Sequence, residues 1–237
     1  MAARAKVKEI AIHALKTMLR DGKVRGVVFD LDGVLMHSTD SHRGAFEEVL
    51  RSYGVDGFQY SRYAGWRTPE VMRAEFLRCD RKVSEDIIQE AAARKTMLAR
   101  QKLVELNPVA DDCVSVLTKL AERYQLALAS SGSGGSVRSF LRMNNCEAFF
   151  GSVLSGDDIV CAKPDPEIYN KSFAALGLRP TDCVVVEDAV AGIDAACSAQ
   201  ATAIGILGTC SEETLRAAGA AHVVDRLSRL PDLLLTI

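Results

Sequence analysis

The chain has 237 residues, of which 48% are hydrophobic and 25% charged, with a formal net charge of -2 and a pI near 6.1. These values fit a globular chain with one large domain, or a core with a smaller insert. They provide no global field to attract nucleic acid or an anionic membrane, so a phosphorylated substrate would have to be held by a few placed cations.

Cysteines at 79, 113, 146, 161, 183, 197 and 210 form no Cys-x-x-Cys pair and are odd in number. That spacing suits neither a zinc ribbon nor a disulfide framework and fits free or buried thiols in a reducing compartment. At the N-terminus, Lys6, Lys8, Glu9 and His13 interrupt any apolar signal region, and no uncharged run approaches ~18 residues. The expected location is cytoplasmic, with no membrane partner.

In chain order, residues 7–19 carry Val7, Ile10, Ala11, Ala14, Leu15, Met18 and Leu19 at helical spacing, ending before Asp21-Gly22. The spacing predicts an amphipathic helix packed on the domain rather than a dimer contact. A short apolar strand, Gly26 to Phe29, runs directly into Asp30-Leu31-Asp32-Gly33. From about Asp40 to Glu105 the pattern is helical and more polar. Ala45, Phe46, Val49 and Leu50 suggest one helix, Thr68-Pro69-Glu70 reads as an N-cap opening a second, and Ser84-Glu85-Asp86 opens a third.

After Asn107-Pro108 the texture changes. A helix around 111–123 leads to strand Gln125 to Ala129, and a Gly/Ser-rich turn from Ser131 to Gly135 enters another helix. The alternation continues with strand 152–154, a loop to Lys163-Pro164, a helix over 166–176, strand 183–186, a helix over 190–199 and strand 202–207. Strands without polar alternation, separated by helices, predict a parallel sheet covered on both faces. The fold class is therefore α/β, with a helical insert between the first strand and the rest.

Ligands of parallel α/β sheets sit at the carboxyl ends of the strands. There this chain carries Asp30 and Asp32, Ser130 and Ser131, Lys163 in the loop beyond a strand, and Glu187 with Asp188. Two carboxylates two residues apart can face one pocket and share a divalent cation, which Asp188 would help to hold. Magnesium prefers such hard oxygen ligands. A carboxylate nucleophile, Asp30, can then attack phosphorus once the metal and Lys163 offset the anionic repulsion. The Ser130 hydroxyl can hold a phosphoryl oxygen, and Asp32 can act as acid to the leaving oxygen and then as base. Each residue alone would be ordinary: a turn aspartate, a solvated lysine, a helix-entry serine. Their recurrence at successive strand ends is what carries the chemistry.

Phe29-Asp30-Leu31-Asp32-Gly33-Val34-Leu35 resembles the first motif of the haloacid dehalogenase superfamily. Leu128-Ala129-Ser130, Lys163-Pro164 and Glu187-Asp188 resemble its second, third and fourth motifs, over nearly all of residues 24–230. The resemblance is to the β-phosphoglucomutase and phosphoglycolate phosphatase branch. It implies a Rossmann-like core of residues 1–37 and 106–237, with 1–22 as an N-terminal helical extension and 38–105 as a mobile helical cap. It further implies magnesium bound by Asp30, the Asp32 carbonyl and Asp188, with Glu187 in support. Dehalogenation itself is disfavoured, because true dehalogenases of the superfamily lack the second aspartate that Asp32 supplies.

Three finer resemblances point to sugar phosphates. His42 falls where the mutases carry a hinge histidine, and Gly65-Trp66-Arg67 resembles a cap loop whose arginine grips a distal phosphate. Lys95 aligns with a cap lysine facing the site, and with Ser131 these make the substrate-binding set. His37, Ala189 and the missing glycine after Pro108 depart from the pattern, and His37 makes transfer of substrate identity unsafe. The expected activity is a magnesium-dependent phosphatase acting on a small phosphorylated metabolite through a phospho-aspartate, working as a monomer or weak homodimer. A hexose-phosphate mutase is the alternative, and a non-catalytic binding protein is disfavoured by the intact core motifs.

Overall fold

The computed structural model describes residues 15–63 and 66–235. Six strands, β1 (Gly26–Phe29), β2 (Gln125–Ala129), β3 (Phe150–Leu154), β4 (Cys183–Glu187), β5 (Thr202–Ile206) and β6 (His222–Val224), form one sheet. Its order is β3-β2-β1-β4-β5-β6 and every pairing is parallel.

The strands are mostly apolar because both faces are covered. Val27, Phe29, Leu126, Leu128, Val184 and Val186 enter one apolar cluster. Their alternate neighbours Val28, Ala127, Ala129 and Val185 enter the other. Period-2 geometry divides each strand between two cores, so polar residues are few and fall at strand ends, as Gln125, Glu187 and Thr202 do, or on the edge strands β3 and β6. Leu15 and Leu19 belong to the first cluster. Residues 15–20 are helical and packed on the sheet as expected, while the rest of the predicted 7–19 helix lies outside the described residues.

Helices α1 (Thr39–Ser52), α2 (Thr68–Arg78) and α3 (Glu85–Leu106) stand between β1 and β2. They enclose a third apolar cluster around Phe46, Leu50, Met72, Phe76 and Ile88. The two crossings between insert and sheet run side by side: the His37 N–H donates to the Pro108 carbonyl at 2.7 Å, and Met36 bridges Val109. The remaining helices are α4 (Cys113–Ala121), α5 (Gly134–Met143), α6 (Glu167–Leu176), α7 (Val190–Ser198), α8 (Glu212–Ala218) and α9 (Leu230–Leu235).

Three expectations need correction. The edge strand β6 was missed, since three residues are too few for a periodic signal. Helix α4 is shorter at both ends than 111–123. The cap position of α2 is Arg67 rather than Thr68, and the Arg67 N–H reaches Glu70 Oε2 at 3.4 Å. Among the described residues, no helix is long and apolar enough to cross a membrane.

Candidate active site

Strand order reverses about β1, whose neighbours β2 and β4 leave in opposite directions, so their carboxyl ends open a crevice there. Asp30 ends β1 and is anchored by its own N–H to the Val186 carbonyl at 3.0 Å. Lys163 Nζ, buried beneath it, contacts Asp30 Oδ1 at 2.6 Å, Glu187 Oε1 at 2.7 Å and the Ala129 carbonyl at 3.1 Å. The lysine thus ties together the ends of β1, β2 and β4. Burial lowers its pKa, but the Asp30 and Glu187 carboxylates outweigh that and raise it well above the ordinary lysine value.

Glu187 is fully engaged. Oε1 also accepts the Tyr169 hydroxyl at 2.5 Å, and Oε2 accepts the N–H groups of Asp188 and Ala189. Its role is to orient the strand end rather than to offer a free oxygen. Asp30, Glu187 and Asp188 each present a carboxylate oxygen within 4.8 Å of the others. Burial raises Asp30 well above the usual carboxylate range, only partly offset by Lys163. Burial and Glu187 push Asp188 up to about 7, against a hydrogen bond from Thr209.

This is a hard-oxygen set with too little positive charge of its own, and it fits a divalent cation. The chain makes room for it: Gly33 adopts φ +81°, and a Cβ there would lie 1.8 Å from Asp188 Oδ2.

Asp32 faces the other way. Its Oδ1 accepts the Ser38 hydroxyl at 2.5 Å and meets His42 Nε2 at 2.9 Å, while His42 Nδ1 meets Lys95 Nζ at 2.8 Å. An ammonium has no acceptor, so while Lys95 is protonated Nδ1 accepts and Nε2 carries the proton donated to Asp32. Burial raises the Asp32 carboxyl, but the field of His42, the hydrogen bonds from His42 and Ser38 and the Lys95 charge hold it down at about 2. Burial lowers Lys95 to about 8, with Asp32 opposing.

The cavity above these groups has a volume of about 60 Å³. Asp30, Asp32, Asp188, Ser131 and Gly132 line it together with His42, Lys95, Phe46, Tyr60, Tyr63 and Trp66 of the insert. The structure therefore brings Asp30, Asp32, Asp188, Glu187, His42, Lys95 and Ser131 to one space. Lys163 lies behind Asp30 rather than on the cavity wall. Ser130 is also fully buried, and its Oγ accepts the Gly132 N–H at 3.0 Å. Ser131 is the better placed serine, since its buried Oγ has no partner among the described residues.

Arg67 is the exception. Its guanidinium donates to the carbonyls of Gly156 (2.9 Å), Ile159 (2.5 Å) and Val160 (3.0 Å) and does not line the cavity. Sequence reasoning missed Ser38, Tyr60, Tyr169 and Thr209. Thr209, three residues beyond β5, was findable by the same strand-end rule that selected Asp188.

A sequence profile of the haloacid dehalogenase-like hydrolases matches residues 27–206. The phosphorylated carbohydrates phosphatase of Thermotoga maritima is 28% identical over 205 residues, covering 85% of this chain and 94% of that protein. The fructose-1-phosphate phosphatase of Escherichia coli is 28% identical over 191 residues, covering 76% and 95%. A crystal structure of β-phosphoglucomutase from Clostridium difficile superposes with a TM-score of 0.78 at 25% identity, covering 87% of this chain and 93% of that one.

Proposed function

Because the chain belongs to the haloacid dehalogenase-like hydrolase family, we propose that it is a phosphatase acting on a small phosphorylated metabolite, a sugar phosphate or a close analogue, through a phospho-aspartate formed on Asp30. The observation that carries this reading is the Lys163 contact to Asp30 and Glu187, which places an ammonium group against the buried Asp30 carboxyl at the head of the cavity. The similarity to two sugar-phosphate phosphatases supplies the substrate class.

Asp30 attacks phosphorus, and the bond from phosphorus to the ester oxygen breaks. Asp32, ionised in the free site, takes up the proton of the monoester monoanion as it binds and passes it to the departing oxygen. Water then attacks the acyl phosphate, Asp32 accepts its proton, and inorganic phosphate leaves with the Asp30 carboxylate restored. The Ser131 hydroxyl and neighbouring backbone N–H groups are the donors available to the phosphoryl oxygens. His42 and Lys95 set the charge on Asp32. Asp30, the Asp32 carbonyl and Asp188 would hold magnesium, oriented by Glu187. When bound, the ion neutralises the charge gathered on nucleophile and phosphoryl group.

Transfer of the phosphoryl group to a sugar hydroxyl is the second reading, favoured by the likeness to β-phosphoglucomutase. A screen of phosphorylated metabolites with magnesium, scoring free phosphate and isomerised sugar phosphate in parallel, separates the two. Under the phosphatase reading free phosphate dominates, Asp30→Asn abolishes its release, and excess chelator or calcium stops it. Full release in a folded Asp30→Asn protein overturns the mechanism.

A further inference from the structure

Lys95 is the cationic side chain on the cavity wall among the described residues, and it is committed to His42, which in turn meets Asp32. Arg67, the residue a distal phosphate would need, lies off this wall with its two Nη atoms on three backbone carbonyls of the sheet domain and its Nε buried without a partner among the described residues.

Four aromatic side chains of the insert, Phe46, Tyr60, Tyr63 and Trp66, line the same cavity. Phe46 packs on Phe58 at 5.0 Å between centroids, Phe58 stacks on Tyr63 at 5.9 Å, and Trp66 meets Tyr63 edge-on at 5.6 Å. Tyr63 is fixed by its hydroxyl, which donates to the buried Glu75 at 2.8 Å. Such a wall binds flat apolar faces, whether the C–H face of a sugar ring or an aromatic ring, and offers nothing to a second dianion. Tyr60 adds one neutral handle. Burial and the Asp32, Asp188 and Asp30 carboxylates push its phenol well above the usual value, so it remains a donor.

We propose that the aromatic wall of Phe46, Tyr60, Tyr63 and Trp66 selects phosphate monoesters with an uncharged, flat leaving group, and that the site excludes bisphosphates. This rests on the phosphatase reading and narrows its substrate class. It also removes the mutase alternative, because passing a phosphoryl group to a sugar phosphate requires the cavity to hold a bisphosphate. A second phosphate carries a charge of about -1.5 to -2 at neutral pH and would enter without a counter-ion.

Trp66 is the only tryptophan of the chain and stands at this wall, so protein emission reports on it. The experiment has two arms. In the first, kcat/KM of the wild-type protein with magnesium is measured for fructose 1-phosphate, fructose 1,6-bisphosphate, phenyl phosphate and acetyl phosphate. In the second, the Asp30→Asn protein is titrated with the two fructose esters while Trp66 emission is followed.

The expected result is a preference of about 100-fold or more for the monophosphate over the bisphosphate, with saturable emission change for the monophosphate alone. At least one flat ester should exceed acetyl phosphate, the better of the two telling a sugar face from an aromatic one, and Trp66→Ala should shrink that excess. Equal turnover or equal binding of the bisphosphate overturns the proposal, as does a bisphosphate activity selectively lost in Arg67→Ala. So does an indifference to the leaving group. Failure of wild-type protein to hydrolyse acetyl phosphate is a different result: it removes the phosphatase reading, while the binding arm still tests the wall.

Discussion

His42 Nε2 lies 2.9 Å from Asp32 Oδ1, so a helix of the insert supplies a partner to the carboxylate proposed as acid and base. Closing the insert over the sheet therefore completes the proton-transfer group as well as covering the substrate. His42→Ala should lower kcat for a sugar monophosphate by about 10–100-fold, within the range that acid–base groups contribute. Acetyl phosphate, whose leaving group departs without a proton, should lose much less. Equal losses on both esters would make His42 a packing residue.

Behind His42, Lys95 is 4% exposed and carries its charge over the Phe46 ring at 4.1 Å. Its pKa is lowered from 10.5 to about 8, so between those values the unfolded chain binds more protons than the folded one. Stability must then rise with pH across that window, and the buried charge costs most below pH 8. That lowering corresponds to about 3 kcal/mol. Comparing wild type with Lys95→Met by urea unfolding at pH 7 and at pH 10.5 cancels the other titrating groups. The variant's relative stability should fall by up to about 3 kcal/mol between the two values, and a pH-independent difference would refute the assignment.

Gly33 gives the sharpest test of the carboxylate cluster. A methyl group at this position would overlap the Asp188 carboxylate, and the positive φ adds its own strain. Gly33→Ala should abolish turnover and lower stability by about 1–3 kcal/mol. Because Asp188 is displaced, magnesium should raise the melting temperature of wild type but not of the variant. A folded variant that keeps magnesium stabilisation would show that Asp188 is no part of the cation site.

The core chemistry was legible because each residue sits at the end of an uninterrupted apolar strand, where a polar side chain has few purely structural uses. Asp30, Glu187 and Asp188 could be placed in one crevice on that rule alone. What the rule could not give is orientation: it cannot say that Asp32 turns away toward Ser38 and His42, or that Lys163 lies beneath Asp30 rather than beside the substrate. The insert was harder, since helical periodicity locates α1, α2 and α3 but says nothing of how they pack across the crevice. Lys95 could be set facing the site only through the family resemblance, because its spacing alone fits a solvated helix charge equally well. Arg67 was assigned to a distal phosphate by the same route, and there the three carbonyls of the 156–160 loop claimed it first.

Those three contacts make Arg67 a clasp between the insert and the sheet domain. Gly156, Ile159 and Val160 lie in the loop leading from β3 toward Lys163, so the clasp joins the aromatic wall to the segment carrying the buried lysine. Hydrogen bonds from a charged donor contribute about 1.5–3 kcal/mol, enough to shift a closed insert toward an open one. Arg67→Ala should expose Trp66 beyond its present 42%, seen as a red shift of its emission in the absence of substrate, and should speed amide exchange in Tyr63 and Trp66 to Arg78. KM for a sugar monophosphate should rise about tenfold, with acetyl phosphate less affected. Arg67→Lys keeps the charge but lacks the fork needed to reach several carbonyls at once, and it should behave like the alanine variant. If the lysine variant restored wild-type emission and KM, charge rather than the clasp geometry would be what Arg67 supplies.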